Sequence, residues 1–443
     1  MNPNFDISLE WLPYTAGSER DRLFSASIGI TAGDTCLTYL DDLIGMTTRE
    51  HMYGCAWQLA EWFAANWWRL RWESFLQSAP LDVSRAMSHC MVSAGGGFVW
   101  PNIIFDGDGD FVNVSVPCKI GPAESYASIR YLSDTNNKSI PIPANTFEQA
   151  VDRLLEATLS RGAGFEDKSL ANLWHEVCDE RRNPKVSRYR KWEAIAGYDP
   201  DEAPPALLKG IFEASKRYGR QSSEEVVADA RHNTGNVFKA IQELPESETV
   251  DVSLPDGSII DSRSVNKASV LQMPWQRGKH AAELARRALG IPADRPVSDK
   301  KLAEVLGVSS KILNSTKGVQ GEVLPFALRK NGTGGTYRLH LKKTFNTSRR
   351  FEICRLLGDC LLWGENQLHP ATESGTARQK TQRAFAAEFL CPSDALWDQL
   401  GCDISPDNIA KAAKHFNVSE WTINTFLVNN EKLDRDIFSQ RVG

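Results

Sequence analysis

No stretch of these 443 residues approaches the roughly 18 to 20 uninterrupted apolar residues that a membrane-spanning helix needs, which argues against a spanning segment. The first residues, MNPNFDISLEWLPY, lack both the basic n-region and the apolar h-region of a secretory leader, so the expected location is cytoplasmic. No two cysteines form a CxxC pair. The nine present (Cys36, Cys55, Cys90, Cys118, Cys178, Cys354, Cys360, Cys391 and Cys402) are odd in number, which argues against a disulfide framework and a thiolate zinc cage. They read as reduced, mostly buried small residues. A large excess of either charge is also missing: a net charge of -5 excludes a chain basic over its whole surface and leaves room for local basic patches.

What is present is apolar residue, at 42%, enough to give about three domains of ordinary size a core each. Residues 1–140 read as a Trp-rich β/α domain, 141–250 as a helical middle domain, 251–278 as a linker and 279–443 as a C-terminal domain. In FVWPNIIFDGDGDFVNVSV, apolar runs flank an Asp/Gly turn, the pattern of a β-hairpin. The spacing of Asp106, Asp108 and Asp110 invites a calcium-loop reading, but the sixth loop position holds Phe111 instead of Gly and the twelfth holds Pro117 instead of Glu. The stretch HMYGCAWQLAEWFAANWWRLRWES carries Trp57, Trp62, Trp67, Trp68 and Trp72, and with Leu59 and Phe63 it predicts a helix apolar around much of its surface, buried against the sheet. A ring-stacking role for these tryptophans is the functional alternative. NTFEQAVDRLLEATLSRG has a Thr/Glu start and a terminal Gly, and SLANLWHEVCDERR continues the helical periodicity. His175 and Asp179 lie one helical turn apart but lack an evident third ligand, and DERRNPKVSRYRK reads as a solvated helix end.

The last 165 or so residues run through the helix KHAAELARRALG, the short helical pair SDKKLAEVLGVSSKIL, two β-like runs joined by NGTGG, then RRFEICRLLGDCLLW, QKTQRAFAAEFLCP and DNIAKAAKHFNVSEWTINTFLVNN. This order and these words, over about residues 280–430, resemble the C-terminal domain of the ImmA/IrrE family of zinc metallopeptidase-like proteins. Active relatives carry R-F-x-x-x-H-E-x-x-H after a strand pair and E-x-x-A-N-x-F-A-A-x-L-L-x-P on a later helix. Arg350, Phe351, Leu357 and Gly358 sit in the frame of the first motif, and Phe385, Ala386, Ala387, Leu390 and Pro392 in that of the second. The fold class implied is α+β and multidomain, with a zincin-like C-terminal helical domain carrying a small sheet.

The resemblance does not extend to the chemistry. Arg355 stands for the first zinc-binding His, Leu356 for the general-base Glu, Asp359 for the second His, and Gln379 for the third-ligand Glu, or Lys380 on a register shifted by one. A guanidinium has only donors to offer and leucine cannot take a proton from water, so no metal or other cofactor is expected. Glu352, Arg355 and Asp359 share one helix face, so Arg355 can pair with either carboxylate, and Arg378, Gln379 and Arg383 face or flank them under the family's packing. Two readings of this remnant stand: an Arg–Asp pair that only joins two helices, or a basic pocket for an anionic molecule or a partner's acidic side chain.

Nucleic acid is a further candidate partner. Arg329, Lys330, Arg338, Lys342, Lys343, Arg349 and Arg350 occupy a run without a single acid, the pattern of a basic hairpin tracking phosphates. The two C-terminal helices are helix-turn-helix-like, yet EWTINTFLVNN carries no Arg or Lys to read a groove. The function expected from the resemblance is non-catalytic: a regulatory or sensor protein that binds a protein partner, in phage defence, mobile-element or stress control. The alternatives are a metallopeptidase using a displaced set (His340, His369 or Glu388 with Asp359) and a nucleic-acid-binding regulator. Oligomeric state is left open.

Overall fold

Phe5, Ile7 and Leu9 alternate with polar residues along FDISLEW, and this period of two gives β1 (Phe5–Trp11) one buried face. Its neighbour β2 (Ser25–Ala32) is buried on nearly every residue and pairs antiparallel with β1 and with β3 (Thr35–Cys36) and β6 (Met52–Cys55). The computed structural model describes residues 4–15, 17–75, 83–117, 128–133, 135, 138–255, 260, 272–313, 323–330 and 335–433. These fall into two compact units, Met1–Leu208 and Lys209–Gly443. The protein is mixed α and β, with small antiparallel sheets and a β-rich N-terminal region.

In the first unit, β4 (Leu40–Asp42), β5 (Thr47–Arg49) and β9 (Ile129–Tyr131) form a second sheet, and β7 (Ile104–Gly107), β8 (Phe111–Ser115) and β10 (Ile140–Pro143) a third. The expected Asp/Gly hairpin is β7–β8. Its turn is tied by Asp108, whose side chain accepts from the amides of Asp110 (3.0 Å) and Phe111 (2.7 Å), so that carboxylate is an Asx-type staple. The short helix α1 (Glu19–Phe24) precedes β2, and the tryptophan-rich segment forms α2 (Ala56–Trp72). Trp57, Trp62, Trp67 and Trp68 all lie in the core: Trp57 packs on Phe24 and Phe165, Trp62 on Phe63 and Phe105, and Trp67 and Trp68 on each other. Buried rings cannot stack on a ligand base, which removes that alternative for these four.

Helices α3 (Val83–His89), α4 (Ala144–Arg161), α5 (Ser169–Arg182) and α6 (Pro184–Ile195) complete the unit. The stretch expected as a helical middle domain is divided: Phe147, Leu154 and Trp174 share one apolar cluster with β1, β2 and α2, and the boundary falls inside α7 (Pro205–Tyr218). Helix α4 starts before the Thr/Glu signal, at Ala144 behind Pro143 and without a side-chain cap, and Glu148 instead takes the guanidinium of Arg71 at 2.6 Å. The charged segment expected to be solvated is only partly so. Arg190 is buried, held by Glu180, Glu193 and Asp201.

The second unit continues with α8 (Arg220–Ala230) and α9 (Thr234–Glu243), then a four-stranded antiparallel sheet in the order β11 (Val250–Ser253), β13 (Thr336–His340), β12 (Phe326–Arg329), β14 (Leu368–Pro370). The first residues of the expected linker are thus a strand. The rest of it, except Leu254, Pro255, Ile260 and 272–278, lies outside the described residues, as do 331–334 of NGTGG. One sheet face, with Val252, Tyr337, Leu339 and Ala327, packs into the same core as α12 (Asn346–Leu362) and α13 (Ala377–Leu390), after α10 (Pro274–Ala288) and α11 (Asp299–Val305). The second half of SDKKLAEVLGVSSKIL makes only a 3-10 turn at Ser310–Ile312, so this segment is no helix-turn-helix. Helices α14 (Ser393–Leu400), α15 (Pro406–Phe416) and α16 (Glu420–Asn429) close the unit, with Asn417 in the left-handed region (φ 50°) at the turn and Ser419 capping α16.

Two glycines set the helix spacing around Arg355 and Asp359. A Cβ at Gly358 would lie 2.5 Å from the Phe385 ring, and one at Gly278 would lie 2.4 Å from the Thr381 carbonyl oxygen. Gly358→Ala should therefore push α12 from α13 and cost about 1 to 3 kcal/mol, read as a lower denaturation midpoint. An unchanged midpoint would mean that the ring moves aside at no cost.

Candidate functional site

Gly358 brings α12 and α13 together, and the next residue, Asp359, is fully buried between them. The carboxylate is saturated by three residues on two elements, α13 and β14. Arg378 donates to it from Nε (2.8 Å to Oδ1) and from Nη2 to Oδ2, Gln382 donates from Nε2 (2.6 Å to Oδ1), and His369 on β14 from Nδ1 (2.9 Å to Oδ2). Burial alone would raise the Asp359 pKa, but the charge and hydrogen bonds of Arg378, and those of His369, outweigh it and hold the carboxyl well below the usual range.

Arg355 does not pair with Asp359, contrary to the expectation from the helix face. Its Nη2 donates to the Thr372 carbonyl and to Gln379 Oε1 (2.7 Å), and the carboxylate nearest its Nη1 is that of Glu373 at 3.8 Å. The reason is geometric: Arg378 reaches Asp359 from the facing helix with the two donors of one guanidinium edge, Nε and Nη2, leaving Arg355 to turn toward the loop before α13. Gln379 knits that loop, accepting from the Thr372 amide (2.9 Å) and donating to the Pro370 carbonyl (3.1 Å). Arg383 meets the same loop, donating to Ser374 O (3.1 Å) and Thr372 O (3.5 Å). Burial, then the charge of Arg355, push its pKa down. Glu352 stands apart, accepting from the Lys342 and Lys343 amides at 2.9 and 3.2 Å, so it anchors the chain leading into α12. Burial raises its pKa.

Sequence reading missed several members of this cluster. Nothing in the sequence marks Gln382, and His369 reads there only as a candidate metal ligand. Glu225 and Asp229, one turn apart on α8, accept from Thr376 Oγ1 (2.6 Å) and the Glu373 amide (2.8 Å). Burial raises the pKa of each. Nothing local signals this contact, since partners 151 and 144 residues apart meet only through the fold.

These donors do not suit a metal. Arg355 and Gln379 present a guanidinium and an already engaged amide, and both His369 nitrogens are taken, Nδ1 by Asp359 and Nε2 by the Asn366 carbonyl (3.1 Å). His340 Nδ1 lies 3.3 Å from the Glu248 carbonyl oxygen, and Glu388 accepts from the Ser393 amide (3.1 Å). Among the described residues, no group of three or more His, Cys, Asp or Glu side chains is placed to hold a metal ion. His175 and Asp179 are exposed, and Asp179 pairs with Arg182 at 2.9 Å.

The basic run separates in the structure. Arg349 and Arg350, 4% and 0% exposed, are interior: Arg350 binds Asp299 and the Val297 carbonyl, and Arg349 the Lys343 carbonyl (2.9 Å). They cannot meet phosphate without unfolding α12. Arg329 donates to the Gly364 carbonyl (3.0 Å), and Lys330 pairs with Asp251 (2.6 Å), a residue directly across from Arg338 on the neighbouring strand. Arg329, Lys330 and Arg338 line one shallow cleft with Leu328, while Lys342 is half-buried and Lys343 exposed. The helix-turn-helix-like pair is present as α15 and α16, with Trp421 exposed on the second.

No helix among the described residues is long and apolar enough to cross a membrane. No family model, no curated protein and no solved structure matches this chain.

Proposed function

We propose that the second unit is a degenerate ImmA/IrrE-type, zincin-like domain that has exchanged metal chemistry for a buried charge cluster, and that the protein acts without catalysis, as a regulatory or sensor module that binds a protein partner. The observation that carries this reading is the state of Asp359. A residue at a metal-ligand position of the motif is fully buried and spends both oxygens on Arg378, His369 and Gln382, so no lone pair points at an open site. Leu356 at the general-base position cannot activate water. The setting, in phage defence, mobile-element or stress control, rests on the resemblance alone.

The purified protein should contain no stoichiometric zinc, measured by elemental analysis after mild chelation. About one zinc per chain surviving that treatment would overturn the non-catalytic reading. Contact with nucleic acid is the second reading, supported by the exposed Lys343, the half-buried Lys342 and the Arg329–Lys330–Arg338 cleft. It requires retention on DNA or RNA that weakens with salt and weakens further when Arg338 and Lys343 are replaced by Gln.

A further inference from the structure

Arg355 and Arg383 converge on one backbone carbonyl, that of Thr372, from α12 and α13. Arg355 is 7% exposed and its Nε lies buried without a hydrogen-bond partner among the described residues. Arg383 is half-buried, and among the described residues its guanidinium hydrogen-bonds to two carbonyl oxygens, Ser374 O and Thr372 O. Two guanidiniums so placed repel, and each is further penalised by burial. The groups that face them are Glu373 on the loop, Asp229 on α8, Gln379 on α13 and, at greater remove, Glu225 and Glu352. Asp359 is committed to Arg378. Among the described residues, Glu373 alone is both near and solvent-exposed: its carboxylate stands 3.8 Å from Arg355 Nη1, beyond hydrogen-bond reach, with 62% of the side chain in solvent.

We infer that the Arg355–Arg383 pair is a carboxylate-binding site in which Glu373 is a loosely held internal stand-in, and that an acidic side chain of a partner takes its place. This rests on the partner-binding reading above and adds the chemistry of recognition. A carboxylate seated closer than Glu373, against Arg355 Nη1 and the half-buried Arg383 guanidinium, neutralises the repulsion that Glu373 relieves only from a distance. The same chemistry would accept a free carboxylate, so the two sources need separate arms.

The test is calorimetric titration of the full chain at low salt with a hexaglutamate peptide and, separately, with free glutamate. Glu373→Gln should bind the peptide about fivefold more tightly than wild type, because the competing internal carboxylate has gone. Arg383→Gln should weaken it by about tenfold or more, while Lys343→Gln on the exposed basic stretch should change it little. A peptide preferred over free glutamate points to an acidic partner segment, and equal affinity per carboxylate points to a small molecule; both support the site. No binding to the Glu373→Gln protein, or the same affinity in all variants, would overturn it. Glu373 is exposed, so that variant stays informative if Arg383→Gln fails to fold. Stoichiometric zinc would sink the non-catalytic reading without touching this result, whereas zinc-free protein that ignores both probes would sink only the carboxylate assignment.

Discussion

Replacing Arg378 with Met should destabilise the second unit by about 3 to 5 kcal/mol, because it strands the Asp359 carboxylate in a dry site with too few donors. Arg378 supplies two of the four donors that reach Asp359, and the positive charge that most offsets its burial. Arg355→Met should cost less, about 1 to 3 kcal/mol, since it leaves Asp359 fully partnered and forfeits only bonds to Thr372 O and Gln379. The double variant Arg378→Met with Asp359→Leu should recover more than half of the loss. Recovery stays incomplete because His369 and Gln382 then face an apolar side chain. Urea unfolding of the set distinguishes these outcomes. A double variant no more stable than Arg378→Met alone would mean that the cluster is not the unit of stability argued above. Asp359 also has a pH signature: its pKa is lowered on folding, so its contribution is present above the ordinary carboxylate value and is lost as pH falls through the folded value.

The parts of this arrangement that were legible in the sequence are those set by local pattern. The β7–β8 hairpin follows from an Asp/Gly turn between apolar runs, and the burial of α2 from apolar residues on most of its circumference. The helices α12 and α13, and the placing of Arg355, Asp359, Arg378 and Gln379 near one another, follow from periodicity together with the resemblance. What periodicity cannot state is which cation meets which carboxylate. Arginine has a long stem with many rotamers, so residues on one helix face are candidates for pairing, and the choice falls to whatever the facing element offers. Here Arg378 arrived from α13 and displaced the expected partner. The same limit hid the interior course of Arg349 and Arg350: seven basic residues in an acid-free run read as a surface, but Asp299, some fifty residues earlier, draws Arg350 inward. Helix α8 illustrates the extreme case, since its carboxylates are defined only by what the fold lays against them.

The first unit holds a charge cluster of the same type, and its disruption should be the largest single-residue effect there. Glu73, 1% exposed at the end of α2, accepts from Arg69 Nε (2.7 Å) and from His89 Nε2 (3.1 Å), and Arg85 Nε lies 3.5 Å from its other oxygen. Burial would raise its pKa, but the hydrogen bond and charge of His89 and those of Arg69 outweigh it and lower the pKa far below the usual glutamate range. Glu73→Gln keeps the shape and removes the charge that the buried Arg69 and Arg85 share, so it should cost about 3 to 5 kcal/mol at pH 7. The sign of the pH dependence then follows. With the folded pKa below the unfolded one, the stabilisation by Glu73 is complete above the unfolded value of about 4.3 and is lost as pH falls through the folded value. The wild type should therefore lose stability on acidification through this window, and Glu73→Gln should lose less over the same interval, so that the two curves converge at low pH. Denaturant midpoints of both proteins from pH 7 to pH 3 measure this directly. Parallel curves, with a constant gap between the proteins, would show that Glu73 acts through shape and not through its charge, because only an ionised group in the folded state can couple its contribution to protons.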